Sequence, residues 1–292
     1  MKSVSLVLGS GGARGLAHIG VIHWLEENGY HIQSISGCSM GALIGGIYAA
    51  GKLGEFESWV RAITKLDIIT LLDMSWNKSG LVKGDKIINT LIDLVGDLKI
   101  DDLSISYTAV AADVNEEKEV WINSGRLFDA IRASISLPMF FTPHYYNGAH
   151  LIDGGVLNPV PIAPTFSDDT DITLAVNLGG KLNEVSGELD VHDLLINKNN
   201  DGISEKITRY IQQFTKKVDL PKNVDWGAYE IANQAFDAMQ STIARQKLAA
   251  YPPDLCIEIA RNACGTFEFA RADEMIALGY QKAQECFTKS VV

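Results

Sequence analysis

Short β-favouring apolar runs alternate along the chain with stretches whose apolar residues recur every three or four positions. The first run, Val4-Ser5-Leu6-Val7-Leu8, reads as a buried strand, and Leu16 to Leu25 as a helix with one apolar face. A second strand follows over about His31 to Ser36, then a small-residue, helix-compatible stretch from Met40. Glu55 to Leu66 has amphipathic helical spacing, and another helix is expected to end near Val95-Gly96. Strands are expected at Ser106–Val114 and Lys118–Ile122 around a polar turn, and a helix at Leu127–Ser134 that Leu137-Pro138 breaks. A short apolar strand leads into Asp153. Further on, Glu205–Val218 and Ala228–Leu248 read as helices, Leu255–Ile259 as a late strand and Arg271–Phe287 as a closing helix. Strand, helix, strand at the beginning predicts a βαβ unit, which brings the loops after the first two strands to the carboxyl edge of one sheet.

Those two loops carry unusual sequences. The second contains Gly37-Cys38-Ser39-Met40-Gly41, a G-x-S-x-G pattern between a strand and a helix. A sharp strand-to-helix turn strains its central residue and needs small neighbours, so Gly37 and Gly41 suit an elbow that presents Ser39 above a helix N-terminus. The first loop is Gly9-Ser10-Gly11-Gly12-Ala13-Arg14-Gly15. A dinucleotide fingerprint needs glycine where Arg14 stands, and no Gly-Lys-Ser/Thr closes a P-loop. Exposed backbone N–H groups of this loop, ahead of a helix, suit an anion or a developing oxyanion; a tight turn is the other reading of the same glycines.

A third stretch, Leu151-Ile152-Asp153-Gly154-Gly155, places an acid at a strand end with flexible backbone after it. The six histidines are His18, His23, His31, His144, His150 and His192, so the last hundred residues offer no late catalytic histidine of the α/β-hydrolase type. Asp153 is therefore the candidate base for Ser39, with His144 and His150 as rivals close to it in sequence.

Composition narrows the partners. With 292 residues, 47% of them hydrophobic, the chain has enough material for a sizeable core. A net charge of -11 excludes nucleic acid as a natural partner and disfavours anionic lipid surfaces. Cys38, Cys256, Cys264 and Cys286 lack metal-ligand or disulfide-framework spacing, which suits a reducing, cytoplasmic setting. The N-terminal apolar run is too short for a signal peptide, and the uncharged run Met40–Gly51 falls short of the ~20 residues that span a bilayer. Membrane contact is expected to be peripheral. Asp67–Trp76 is unusually apolar, reading either as a lid or lipid-contacting edge or as a core helix. Phe140–Gly148 is aromatic and turn-rich, its apolar groups reading either as ordinary packing or as the lining of an acyl pocket. No repeat or low-complexity linker divides the chain, so a single domain over 1–292 is expected.

Taken together, Gly11-Gly12-Ala13-Arg14-Gly15, Gly37-Cys38-Ser39-Met40-Gly41 and Asp153-Gly154-Gly155 resemble the oxyanion loop, elbow and D-G-G/A motif of the patatin-like phospholipases, closest to bacterial proteins of the neuropathy target esterase branch. Ala133-Ser134-Ile135-Ser136-Leu137-Pro138 is similar to the family block before the aspartate, and the likeness covers about residues 3–180. Gly9 departs from the acidic residue that often opens the first motif. The resemblance implies a three-layer α/β/α fold with a mainly parallel central sheet. It implies a Ser39–Asp153 dyad, an oxyanion hole at Gly11, Gly12 and Arg14, and no metal or cofactor. The activity it implies is hydrolysis of phospholipid, lysophospholipid or related esters. Two alternatives share the motifs: a general small-ester carboxylesterase and a non-catalytic lipid-binding regulatory module.

Overall fold

The computed structural model describes residues 2–71, 82–182 and 226–289. The chain divides into two compact units, one formed by 1–182 with 236–292 and the other by 183–235, the second lying almost wholly outside the described residues. The expected helix at Glu205–Val218 and the lid segment beyond Leu71 also fall outside them.

An eight-stranded sheet forms the middle of the first unit. Its strands are β1 (Lys2–Leu8), β2 (Tyr30–Cys38), β3 (Ser106–Asp113), β4 (Lys118–Ile122), β5 (His144–Tyr146), β6 (Ala149–Asp153), β7 (Ile172–Gly180) and β8 (Leu255–Ala260). The order is β5-β6-β3-β2-β1-β7-β8, with β4 also paired to β3. From β3 through β8 every pairing is parallel, whereas β4, β5 and β6 pair antiparallel. Buried residues fill both sides of the parallel strands, as a sheet covered on two faces requires.

Alternation along β1 assigns the faces. Val4, Leu6 and Leu8 join the larger core, together with α1 (Ala17–Glu27), α2 (Met40–Ala49), α3 (Leu53–Ala62), α5 (Asp85–Val95), α6 (Leu127–Ser134) and α8 (Ala272–Lys289); the short α4 (Lys65–Leu71) follows α3 in the chain. Val7 faces the opposite way, with Ala175 of β7, against Val160, Ile162 and Ala244 of α7 (Trp226–Ala250). The result is the expected α/β/α layering around a mainly parallel sheet.

Three details differ from the sequence expectation. The helix expected over Glu55–Leu66 is two helices, because Ile63 is extended and Thr64 donates from its backbone N–H and its hydroxyl to Asp67 at the start of α4. The turn-rich stretch after Phe140 contains a short hairpin of β5 and β6. β7 is an unanticipated central strand between β1 and β8.

Helices α1 and α8 cross with almost no space between their backbones. A Cβ at Gly20 would collide with the Ile276 carbonyl, and one at Gly279 with the Ala17 carbonyl. Glycine on each helix permits that approach.

Candidate active site

Strand register brings the candidate dyad together. β2 pairs with β3 up to Cys38 opposite Val110, and β6 pairs with β3 with Asp153 opposite Ala111. Since β4 occupies the other edge of β3 at both positions, β2 and β6 lie end to end along one edge. Both strands end there, so their C-terminal ends face one another. The Ser39 hydroxyl donates to Asp153 Oδ2 at 2.5 Å.

Ser39 is the N-cap of α2 with φ 55° and ψ -121°, a conformation that costs of order 1–3 kcal/mol for a non-glycine residue. The turn is possible because a Cβ at Gly37 would lie 2.5 Å from the Gly41 carbonyl oxygen, while one at Gly41 would strike the Leu8 carbonyl. The Ser39 N–H donates to Ser134 Oγ at 2.9 Å, and that hydroxyl donates to the Val110 carbonyl at 2.7 Å.

Asp153 is fully buried. Its Oδ1 accepts the Gly155 N–H at 2.8 Å and a long contact from the Cys38 thiol at 3.8 Å. Burial raises its pKa to about 6, against the lowering effect of the Ser39, Gly155 and Cys38 hydrogen bonds. The same burial and the neighbouring Asp153 push the Cys38 thiol well above its ordinary value, keeping it protonated. Gly154 packs where a Cβ would strike the Val110 carbonyl, and Gly155 where one would strike Gln240. The D-G-G turn is therefore wedged between β3 and α7.

The glycine loop runs from the end of β1 into a 3-10 turn over Gly12–Leu16. The N–H groups of Gly9, Ser10 and Ala13 donate to Val176, Pro159 and Thr266 carbonyls. Among the described residues, no hydrogen-bond acceptor is present for the N–H of Gly11, Gly12 or Met40. Gly12 has φ 57°, and its Cβ would lie 2.5 Å from the Thr266 carbonyl oxygen. Arg14 is nearly buried; its guanidinium donates to the Arg261 and Cys264 carbonyls and pairs with Asp237 at 3.3 Å. Its side chain thus fastens the loop to the segment after β8.

His18 Nε2 donates to the Gly9 carbonyl at 2.9 Å, and burial lowers its pKa to about 4, so it holds the loop as a neutral ring. His144 and His150 lie on the β5–β6 hairpin, and neither hydrogen-bonds to Ser39 or Asp153 among the described residues. No cluster of three or more His, Cys, Asp or Glu is arranged for a metal among those residues.

Gly12, Ser39, Met40 and Thr266 line one apolar pocket of about 850 Å³, including its open mouth. Phe140 and Phe141 contribute, as the sequence suggests, and so do Ile68 and Leu71 of α4. Leu43 on α2 and Phe56, Trp59 and Val60 on α3 form further wall. Thr266, Phe267 and Phe269 come from the segment after β8, which no motif in the sequence marks.

The patatin-like phospholipase family model matches residues 6–166. An uncharacterized NTE family protein of Mycobacterium tuberculosis is 38% identical over 319 aligned positions, covering 94% of this chain and 89% of that protein. Lysophospholipase NTE1 of Kluyveromyces lactis is 33% identical over 186 positions, 61% of this chain but 13% of the yeast protein. The crystal structure of VipD from Legionella pneumophila aligns with a TM-score of 0.48 at 12% identity, covering 99% of this chain and 67% of that one. The chain belongs to the patatin-like phospholipase family, a class of lipid hydrolases. No described helix is long and apolar enough to cross a membrane.

Proposed function

We propose that the chain is a serine acyl hydrolase that cleaves carboxylic esters of phospholipids or lysophospholipids through a Ser39–Asp153 dyad. The observation that carries this reading is the 2.5 Å hydrogen bond from Ser39 to a buried carboxylate, with Ser39 on the wall of an apolar pocket. Asp153 Oδ2 takes the proton as Ser39 Oγ bonds to the ester carbonyl carbon. The oxyanion is held by the N–H groups of Gly11 and Gly12, joined by Met40 at the start of α2. Arg14 supports this hole by anchoring its loop. Collapse breaks the bond to the leaving alcohol, which receives the proton from Asp153. Water then attacks the acyl-enzyme, again giving its proton to Asp153, and Ser39 is regenerated.

The acyl chain occupies the pocket bounded by Leu43, Val60 and Phe140, with the headgroup at the mouth. That wall favours a long chain over the small-ester alternative. A panel of phospholipids, lysophospholipids and chain-length-varied esters, assayed with the native protein and Ser39→Ala, tests the reading. Long-chain turnover that disappears in Ser39→Ala supports it. Turnover retained by a folded Ser39→Ala protein, or confined to short esters, rejects it.

A further inference from the structure

One buried side chain bonded to the candidate nucleophile has no role in the proton transfers just described. Ser134, the last residue of α6, is fully buried and accepts the Ser39 N–H at 2.9 Å while donating to the Val110 carbonyl at 2.7 Å. Two residues later, the Ser136 carbonyl accepts the Asp153 N–H at 3.0 Å. One short stretch of backbone and hydroxyl therefore bonds to the main chain of both dyad members. Val110, the far end of the Ser134 contact, is also the β3 residue opposite Cys38, so the hydroxyl ties the elbow to the strand beside the one it leaves.

We infer that Ser134 is a positioning residue: its hydroxyl locks the strained Ser39 backbone to β3 and so sets the nucleophile against Asp153. The Ser39 conformation makes such a lock necessary. With φ 55°, the residue relaxes toward ordinary backbone angles unless surrounding bonds over-determine it. Relaxation swings Oγ away from Asp153 Oδ2, and a misplacement of about 1 Å suffices for roughly a hundredfold loss of rate. The hydroxyl also occupies the Ser39 N–H, leaving oxyanion binding to the unpaired donors of Gly11, Gly12 and Met40. Arg132 steadies the same segment by donating to Ser136 Oγ at 2.6 Å, and it holds the Thr142 carbonyl at 3.0 Å beside the pocket wall.

This inference rests on Ser39 being the nucleophile, and the two are separable by experiment. Turnover and KM are measured for native protein, Ser39→Ala, Ser134→Ala and Ser134→Thr, normalised to sites titrated with a fluorophosphonate where Ser39 is present. Ser134→Ala is expected to lower kcat per titrated site by roughly ten- to a hundredfold with KM within about threefold, and to slow labelling of Ser39 in parallel. Ser134→Thr, which keeps the hydroxyl, restores more than half of the lost rate constant on a logarithmic scale. A purely structural role lowers the number of titratable sites and leaves kcat per site native; that result overturns the inference. If Ser134→Ala fails to fold, Ser134→Cys is measured instead, and a native kcat per site there overturns it equally. An active Ser39→Ala would instead remove the proposed nucleophile itself.

Discussion

Ser39 and Asp153 stand 114 positions apart in the chain, yet their side-chain oxygens lie 2.5 Å from one another because β2 and β6 meet end to end along one edge of β3. The alignment is a property of the sheet rather than of a flexible loop. Few torsions separate either side chain from a hydrogen-bonded strand, which suits a site that must hold its geometry within tenths of an ångström.

The first prediction concerns pH. With the Asp153 carboxyl raised to about 6 by burial, the proposed base is ionised above that pH and protonated below it. kcat/KM should therefore fall about tenfold per unit as pH drops below 6, while staying flat from roughly 7 to 8. His144→Ala and His150→Ala should keep the same acid limb. A limb that moves in either histidine variant would assign the base to that ring.

Removing the buried charge should also stabilise the fold. A carboxyl whose folded-state pKa exceeds its unfolded value adds stability below the unfolded value, near 4, and that contribution is lost as pH rises through 6. Asp153→Asn should accordingly unfold at higher denaturant than the native protein at pH 8, by an order-of-magnitude figure of 3 kcal/mol, with the gap closing toward pH 4. His18, with a lowered pKa, contributes stability above about 6.5 that is lost as pH falls toward 4. That effect is common to both proteins and cancels from the difference. An Asn variant less stable than native at pH 8 would show that the Asp153 carboxylate holds the turn together.

Gly12→Ala tests the loop. The new methyl would stand 2.5 Å from the Thr266 carbonyl in a backbone region that side chains avoid, so the loop must shift. Loss of one oxyanion donor lowers kcat by about 10² to 10³, and KM should change far less. Near-native kcat would reduce the loop to a turn.

Pocket depth is read by Leu43→Trp. Leu43 sits one helical turn beyond Ser39 and lines the pocket, so a larger ring shortens the space for an acyl chain. Relative kcat/KM for a sixteen-carbon over a four-carbon ester should fall at least about tenfold, since each methylene that loses its pocket contributes roughly 1–3 kcal/mol. An unchanged ratio would place the chain elsewhere.

Much of this architecture was legible in the sequence because local rules agreed. The glycines of the elbow, the apolar strand before it and the Asp-Gly-Gly turn each have a steric reason that can be read from a few residues. Helices such as Leu127–Ser134 declared themselves by spacing and by the proline that follows. The contributions of Ser134 and Thr266 did not. A serine at a helix end is ordinary until the register of β3 shows which N–H it receives, and Thr266 reaches the loop through a contact between distant parts of the chain. The resemblance puts Arg14 in the oxyanion hole, and its anchoring contacts are hidden in the sequence for the same reason. Its partners, Arg261, Cys264 and Asp237, are more than two hundred positions away.

Those distant partners, with the glycine-to-glycine crossing of α1 and α8, bear on how the protein is made. The carbonyls that hold the glycine loop and the helix that braces α1 are made roughly 240 residues after the loop itself, some tens of seconds at ordinary translation rates. Until then a nascent chain carries the loop without the framework that sets it. The final geometry of the loop thus waits on contacts that form only after a far later stretch of the chain has been made.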